Sequence, residues 1–203
     1  VVSDRAKEAE NVQRAFLGAM ETQMQIGCYP SETGSPADLT ERERTELQTA
    51  YVSRVEQYYA EENSCRKRYI ALNEDFLTAC DSDVEYSESG GVADCRFDSV
   101  RLYADRMTAV VQAQTVVWDK RISGNPEQGF SVELPVNRDT ITATMKKENG
   151  VWKLDSIDSQ ISLSAAVPAD DEVCRERYPT FETARQAADS IDDQAYIKEA
   201  RFA

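Results

Sequence analysis

The chain has 203 residues, with 23 Lys and Arg against 37 Asp and Glu and no histidine. A formal net charge of −14 repels phosphate and anionic lipid, which excludes nucleic acid as a partner and disfavours adhesion to a membrane surface. Without histidine there is no His-based catalytic pair, no His-ligated zinc and no imidazole pH switch.

The hydrophobic fraction of 41% supports a packed core at this length. No apolar run approaches the 18 or so residues a membrane-spanning helix needs, so no direct membrane insertion is expected of this chain. Along the chain, Val12, Phe16, Leu17, Met20 and Met24 recur at spacings of three to four and predict a helix from about Asp4 to Gln25, with Asp4 as its cap and Gly27 as its stop. Gly27, Pro30, Gly34 and Pro36 crowd one loop. A second helix starts at Thr40, where Glu43 stands three residues on in a capping-box pattern. Its stripe is Leu47, Tyr51, Val55, Tyr58 and Tyr59, and a further helical pattern comes at Tyr69, Leu72, Phe76, Leu77 and Cys80. One rod from 40 to 80 would be about 60 Å long, too long for a compact domain, so a break is expected near Asn63, with Ser64 able to cap a third helix.

After a Glu88-Ser89-Gly90-Gly91 turn the period changes to two. Phe97, Val100 and Leu102 lead to a turn at Ala104-Asp105-Arg106. Ala109 to Trp118 is a long strand, apolar on the face of Ala109, Val111, Ala113, Thr115 and Val117 and mixed on the other. A polar loop is expected from Lys120 to Gly129, then a strand or extended arm over Phe130 to Val136, where Pro135 favours an edge or bulge. Asp139 to Lys147 alternates again, Glu148-Asn149-Gly150 reads as a hairpin turn, and Val151 to Ile161 returns. Trp152 and Leu154 against Ile157 imply a bulge or twist in that last strand. The tail opens acidic at Asp170-Asp171-Glu172, then shows a helix-like pattern at Phe181, Ala184, Ala188 and Ile191 and ends with Tyr196 and Phe202. The predicted architecture is α+β: N-terminal helices over about 4–80 packed on a curved antiparallel sheet over about 97–163, forming one domain through 167. A partly helical C-terminal extension covers 168–203.

The cysteines are Cys28, Cys65, Cys80, Cys95 and Cys174, with no CxxC pair. In an exported protein they would form up to two disulfides; in a cytosolic one they would be small buried hydrophobes. Acidic composition, absent histidine and scattered cysteines favour an extracytoplasmic setting, and the opening Val-Val-Ser-Asp without Met suits a mature or trimmed chain whose signal or anchor lay upstream. The expected disulfide is Cys80–Cys95, brought together across the Gly90-Gly91 turn, with Cys28–Cys80 and Cys28–Cys65 as rivals. Cys65 and Cys80 on one helix would stand about 22 Å apart, too far to be bridged.

The order of helices, a long strand and a final hairpin carrying Gly150, Trp152, Lys153 and Leu154 resembles the NTF2-like superfamily (SnoaL-like and ketosteroid-isomerase-like proteins). The resemblance covers about 97–163 and, more loosely, the first helix. It implies a cone-shaped sheet wrapped around the N-terminal helices, and its non-catalytic exported members serve as binding or assembly modules. The family's isomerases pair a helix-one Tyr with an Asp base on the sheet, and its dehydratases use a His. The first helix here has no Tyr, and the chain has no His. No catalytic residue, metal ligand or cofactor is therefore assigned, and the chain is not expected to be an enzyme.

Tyr51, Tyr58, Tyr69 and Trp118 are the ligand-pocket candidates, because phenols and indoles facing a cavity can bind a ligand; amphipathic packing is the alternative for each. Asp81, Asp83, Glu85 and Glu88 resemble the start of a calcium loop but lack its glycine and distal Glu, so a solvated acidic loop is expected. Cys65 stands beside Arg66, Lys67 and Arg68, which could activate a thiol or merely form a charged helix face. The functional expectation is a non-enzymatic extracytoplasmic binding or assembly module. The rival is a small-molecule-binding isomerase or lyase using an Asp, Glu or Tyr of the cone. A protein partner, a small apolar ligand and a homodimer through the sheet are the open partner classes.

Overall fold

The computed structural model describes residues 3–28, 38–78, 84–165 and 171–202. The fold is α+β. Helices α1 (Asp4–Met24), α2 (Glu41–Tyr58) and α3 (Ser64–Thr78) precede strands β1 (Val84–Leu102), β2 (Thr108–Asn125), β3 (Gly129–Glu133), β4 (Val136–Glu148) and β5 (Val151–Ala165). Helices α4 (Asp171–Arg175), α5 (Phe181–Asp189) and α6 (Asp193–Ala200) complete the chain. The sheet is antiparallel in the order β1-β2-β4-β5, and β3 pairs β2 beyond the end of β4. No described helix is long and apolar enough to cross a membrane.

Local chemistry sets the helix ends. The Ser3 hydroxyl accepts from the Ala6 amide, so Ser3 is the cap of α1 and Asp4 the first helical residue. Thr40 and Glu43 form the expected reciprocal capping box on α2. The break falls at Asn63, whose Oδ1 accepts from the Cys65 amide at 2.8 Å while its Nδ2 donates to the Leu154 carbonyl at 3.1 Å. Asn63 thus starts α3 and anchors that start to β5. On α3 the buried positions are Tyr69, Asn73 and Leu77, whereas Leu72 is exposed. Asn73 is buried because its amide is satisfied on both sides: Oδ1 accepts from the Gly27 amide and Nδ2 donates to Gln48, each at 2.7 Å.

Two predicted loops are strand. Gly90-Gly91 is not a turn; it lies in the middle of β1, paired with Asp119 and Trp118. A Cβ at Gly90 would lie 2.6 Å from the Met24 carbonyl oxygen, and one at Gly91 2.6 Å from Glu21 Oε2. The glycines let α1 lie against the strand. Likewise, β2 runs on through Lys120 to Asn125, with Asp119 and Lys120 buried. Pro135 falls in the gap between β3 and β4, where its missing amide leaves no ladder bond unmade.

β1 carries one extra residue at Glu88, at Ala93 and at Asp98, and β5 one at Asp155 and at Asp158. Each bulge adds local twist and bends its strand, and together they curve both edges of the sheet. The Asp155 bulge also explains the β5 pattern, since it returns Ile157 to the face of Trp152 and Leu154, opposite buried Ala143.

Each face of the sheet carries helices over part of its length. On β2, Ala109, Val111 and Ala113 pack with α1, α2 and α3 around Val12, Phe16, Met20, Val55 and Tyr59. The alternate positions Val116 and Trp118 pack with Tyr196 and Ala200 of α6, and Ile122 with Ala184 and Ala188 of α5. The C-terminal extension is therefore docked on the sheet.

Candidate functional site

The hollow of the sheet is where a ligand of a cone-shaped fold would sit, and here side chains fill it. Phe16 and Val12 are fully buried in it, with Met20 and Trp152 nearly so, and Phe16 meets Phe97 edge to face at 5.8 Å. Each such burial contributes roughly 1.5–3 kcal/mol. The phenols are engaged by the protein itself: the Tyr51 hydroxyl donates to the Thr22 carbonyl at 3.1 Å and that of Tyr59 to the Ala19 carbonyl at 2.7 Å. Burial pushes both hydroxyls above the usual tyrosine value, and that of Tyr69 up to about 12.

The four pocket candidates are not brought together. Tyr51 and Tyr69 belong to the core, where Tyr69 packs edge to face on Tyr59 at 5.4 Å. Tyr58 lies at the edge with its ring over Gly18, where any Cβ would collide with it. Trp118 is on the opposite face of the sheet, edge to face with Tyr196 at 6.0 Å. Cys80 lies outside the described residues, as do Asp81 and Asp83. The turn expected to bring Cys80 to Cys95 is extended strand, and Cys95 holds a free thiol, as do Cys28 and Cys65. Arg68 contacts the Cys65 sulfur at 3.8 Å but also stacks over Tyr69, and Arg66 reaches Glu56 at 3.7 Å. No group of described His, Cys, Asp or Glu residues is arranged to hold a metal ion.

Two sets of buried polar groups went unassigned in the sequence. Thr115 on β2 and Asp139 on β4 are direct register partners, both buried, and neither Thr115 Oγ1 nor Asp139 Oδ1 has a hydrogen-bond partner. Asp139 shares its strand face with Ile141, Ala143 and Met145, and that alternation was its one visible signal. The second set joins the sheet to the extension. Lys120 of β2, 4% exposed, donates to the Ala188 carbonyl at 3.1 Å and to Asp193 Oδ1 at 2.8 Å, and lies 3.5 Å from Glu88 Oε2. Glu88, the bulged residue of β1, is held between Lys120 and Asp189. Burial, and then the neighbouring Asp189 carboxylate, push its pKa up to about 8 against the pull of Lys120. These groups line an open cleft of about 400 Å³ with Asp189, Ser89 and Gln194. A carboxyl that keeps its proton beside a second carboxylate can exchange a proton. Lys120 itself, by bonding both α5 and α6, ties β2 to the two helices.

No family model and no curated protein matches the chain. Among solved structures, the intermembrane space region of the chloroplast protein ARC6 aligns with 81% of this chain and 100% of its own, at 14% identity and a TM-score of 0.41. That similarity is too low to bear on fold family or function.

Proposed function

We propose that this chain is a non-enzymatic binding or assembly module of NTF2-like kind, acting outside the cytoplasm. One observation carries the reading: the hollow that would hold a substrate is occupied by Phe16, Met20, Tyr59, Phe97 and Trp152, and its Tyr51 and Tyr59 hydroxyls are bonded to carbonyls of α1. The NTF2-like assignment is supported by the closing hairpin at Gly150 to Leu154 and by a curved sheet around α1. The compartment rests on composition alone.

The rival, an isomerase or lyase, draws on one observation, the buried Asp139 Oδ1 that no hydrogen bond reaches, on the α1 side of the sheet. Assaying the protein on a Δ5-3-ketosteroid and on a lactone separates the two readings. No turnover above buffer, in the native protein and in Asp139→Asn alike, is the expected result. Turnover that Asp139→Asn abolishes would overturn the proposal. Fractionation of cells expressing the full gene product tests the compartment, and recovery in the cytosol would reject it.

A further inference from the structure

The start of α1, the β1–β2 turn and the end of β4 enclose a cleft of about 790 Å³, in the size range of small-molecule sites. Its walls run against the composition of the chain. Arg5 and Lys7 come from the first turns of α1, Arg106 from the β1–β2 turn and Lys147 from β4, beside the apolar surfaces of Leu102 and Tyr103. The acids in the lining are Asp4 and Glu8, and Glu8 is committed: it takes Lys147 at 2.8 Å and the Trp152 indole at 2.7 Å. Arg5, Lys7 and Arg106 form no ion pair with any described side chain. A protein of net charge −14 thus presents a cleft with four cations against two carboxylates, where Glu8 holds Lys147 and also feels the charge of Arg106. The N-terminal peptide dipoles of the 21-residue α1 add potential of the same sign.

The cleft is also shaped for more than a bare ion. The turn holds Arg106 at φ 56, the left-handed region, and closes with its amide donating to the Tyr103 carbonyl at 3.1 Å. Asp105 fastens the same turn by accepting from the Met107 and Thr108 amides. Tyr103 is 41% exposed, with Arg101 over its ring. Tyr103 thus shares the cleft with Arg5 and Arg106, whose guanidinium groups can each give two parallel hydrogen bonds to a carboxylate or phosphate.

We propose that this cleft binds a small organic anion: a carboxylate or phosphate ester anchored by Arg5 and Arg106, with an apolar or aromatic body lying along Leu102 and Tyr103. The cleft opens at the start of α1, outside the filled hollow, so the inference stands whether or not the hollow is catalytic.

The probe is 1-anilinonaphthalene-8-sulfonate, an aromatic anion, compared with N-phenyl-1-naphthylamine, the same rings without the charge. Titration of the whole chain should show saturable binding of the sulfonate at one site, with the neutral compound about tenfold weaker. Arg5→Gln and Arg106→Gln should each weaken the sulfonate by about five- to tenfold and leave the neutral compound unchanged. Lys198→Gln, on α6, should change neither. Phenyl phosphate should displace the dye, and rising salt should weaken it. Equal affinity for charged and neutral probes, or unchanged sulfonate affinity in both arginine variants, overturns the proposal. Absence of saturable binding does so too. Circular dichroism and Tm confirm that each variant is folded. Arg5 lies in a regular helical turn, so its variant remains decisive if Arg106→Gln disturbs the β1–β2 turn.

Discussion

Trp152 donates its indole N–H to Glu8 at 2.7 Å, joining the last hairpin to the first helix across 144 residues of sequence. Lys147 reaches the other Glu8 oxygen at 2.8 Å and lies over the Trp152 ring at 5.5 Å. Glu8→Ala leaves a nearly buried indole N–H without an acceptor and should cost about 1–3 kcal/mol in urea unfolding at pH 7. Hydrogen bonds from Lys147 and Trp152 hold the Glu8 pKa below its usual value of 4.5. Its stabilisation is therefore present above pH 4.5 and lost as pH falls through the lowered folded value. The variant should lack that part of the acid decline; an unchanged acid limb would contradict the role given to Glu8.

Glu88 works in the opposite sense. Its folded pKa of about 8 exceeds the usual 4.5, so between those values the native chain keeps a proton that the unfolded chain releases. Stability should fall as pH rises across that window. Glu88→Gln cannot lose the proton, so its curve should be flatter and should lie above that of the native protein at pH 8 to 9. Parallel curves for the two proteins would refute this.

The glycine pair in β1 gives a differential test. A Cβ at position 90 meets the backbone oxygen of Met24, which cannot yield without moving α1, whereas one at 91 meets the end of the flexible Glu21 side chain. Gly90→Ala should destabilise by about 2–3 kcal/mol, and Gly91→Ala by clearly less. Thermal melts of the two variants check the order, and equal losses would contradict the close approach of α1.

At the hairpin, Asn149 has φ 50 and Gly150 φ 80, the two left-handed residues of a type I′ turn. Nothing lies within 4 Å of a Cβ at Gly150, so the cost of a side chain there is purely conformational. Gly150→Val should lose about 1 kcal/mol or more of stability. Asn149→Gly should be tolerated, and a Gly150→Val protein melting with the native one would reject the turn.

Burial pushes the thiols of Cys28 and Cys95 up to about 12. Iodoacetamide at pH 8 should leave both unmodified in the folded protein, because the thiolate is the nucleophile. In urea without reductant both should be alkylated. Peptide mapping that finds Cys95 protected in urea until reductant is added would restore the Cys80–Cys95 disulfide.

The sequence by itself determined whatever depends on neighbours along the chain. The apolar stripe of α1 comes from spacing, the Thr40–Glu43 box from a hydroxyl and a carboxylate three residues apart, and the Asn149-Gly150 turn from backbone sterics. The α+β class and the β4–β5 hairpin come from the change of period. Tertiary structure decided the rest, because the deciding atoms are distant in sequence. Gly90-Gly91 reads as a turn until α1 lies across it. Lys120 reads as the start of a polar loop until Asp193 and the Ala188 carbonyl neutralise and bond its ammonium and so allow it to be buried. Tyr51 and Tyr59 could have faced a ligand, and carbonyls of α1 took their hydroxyls instead. The charge surplus at Arg5, Lys7 and Arg106 is likewise invisible in a chain of net charge −14, since composition is a sum over residues and potential depends on which of them the fold places side by side.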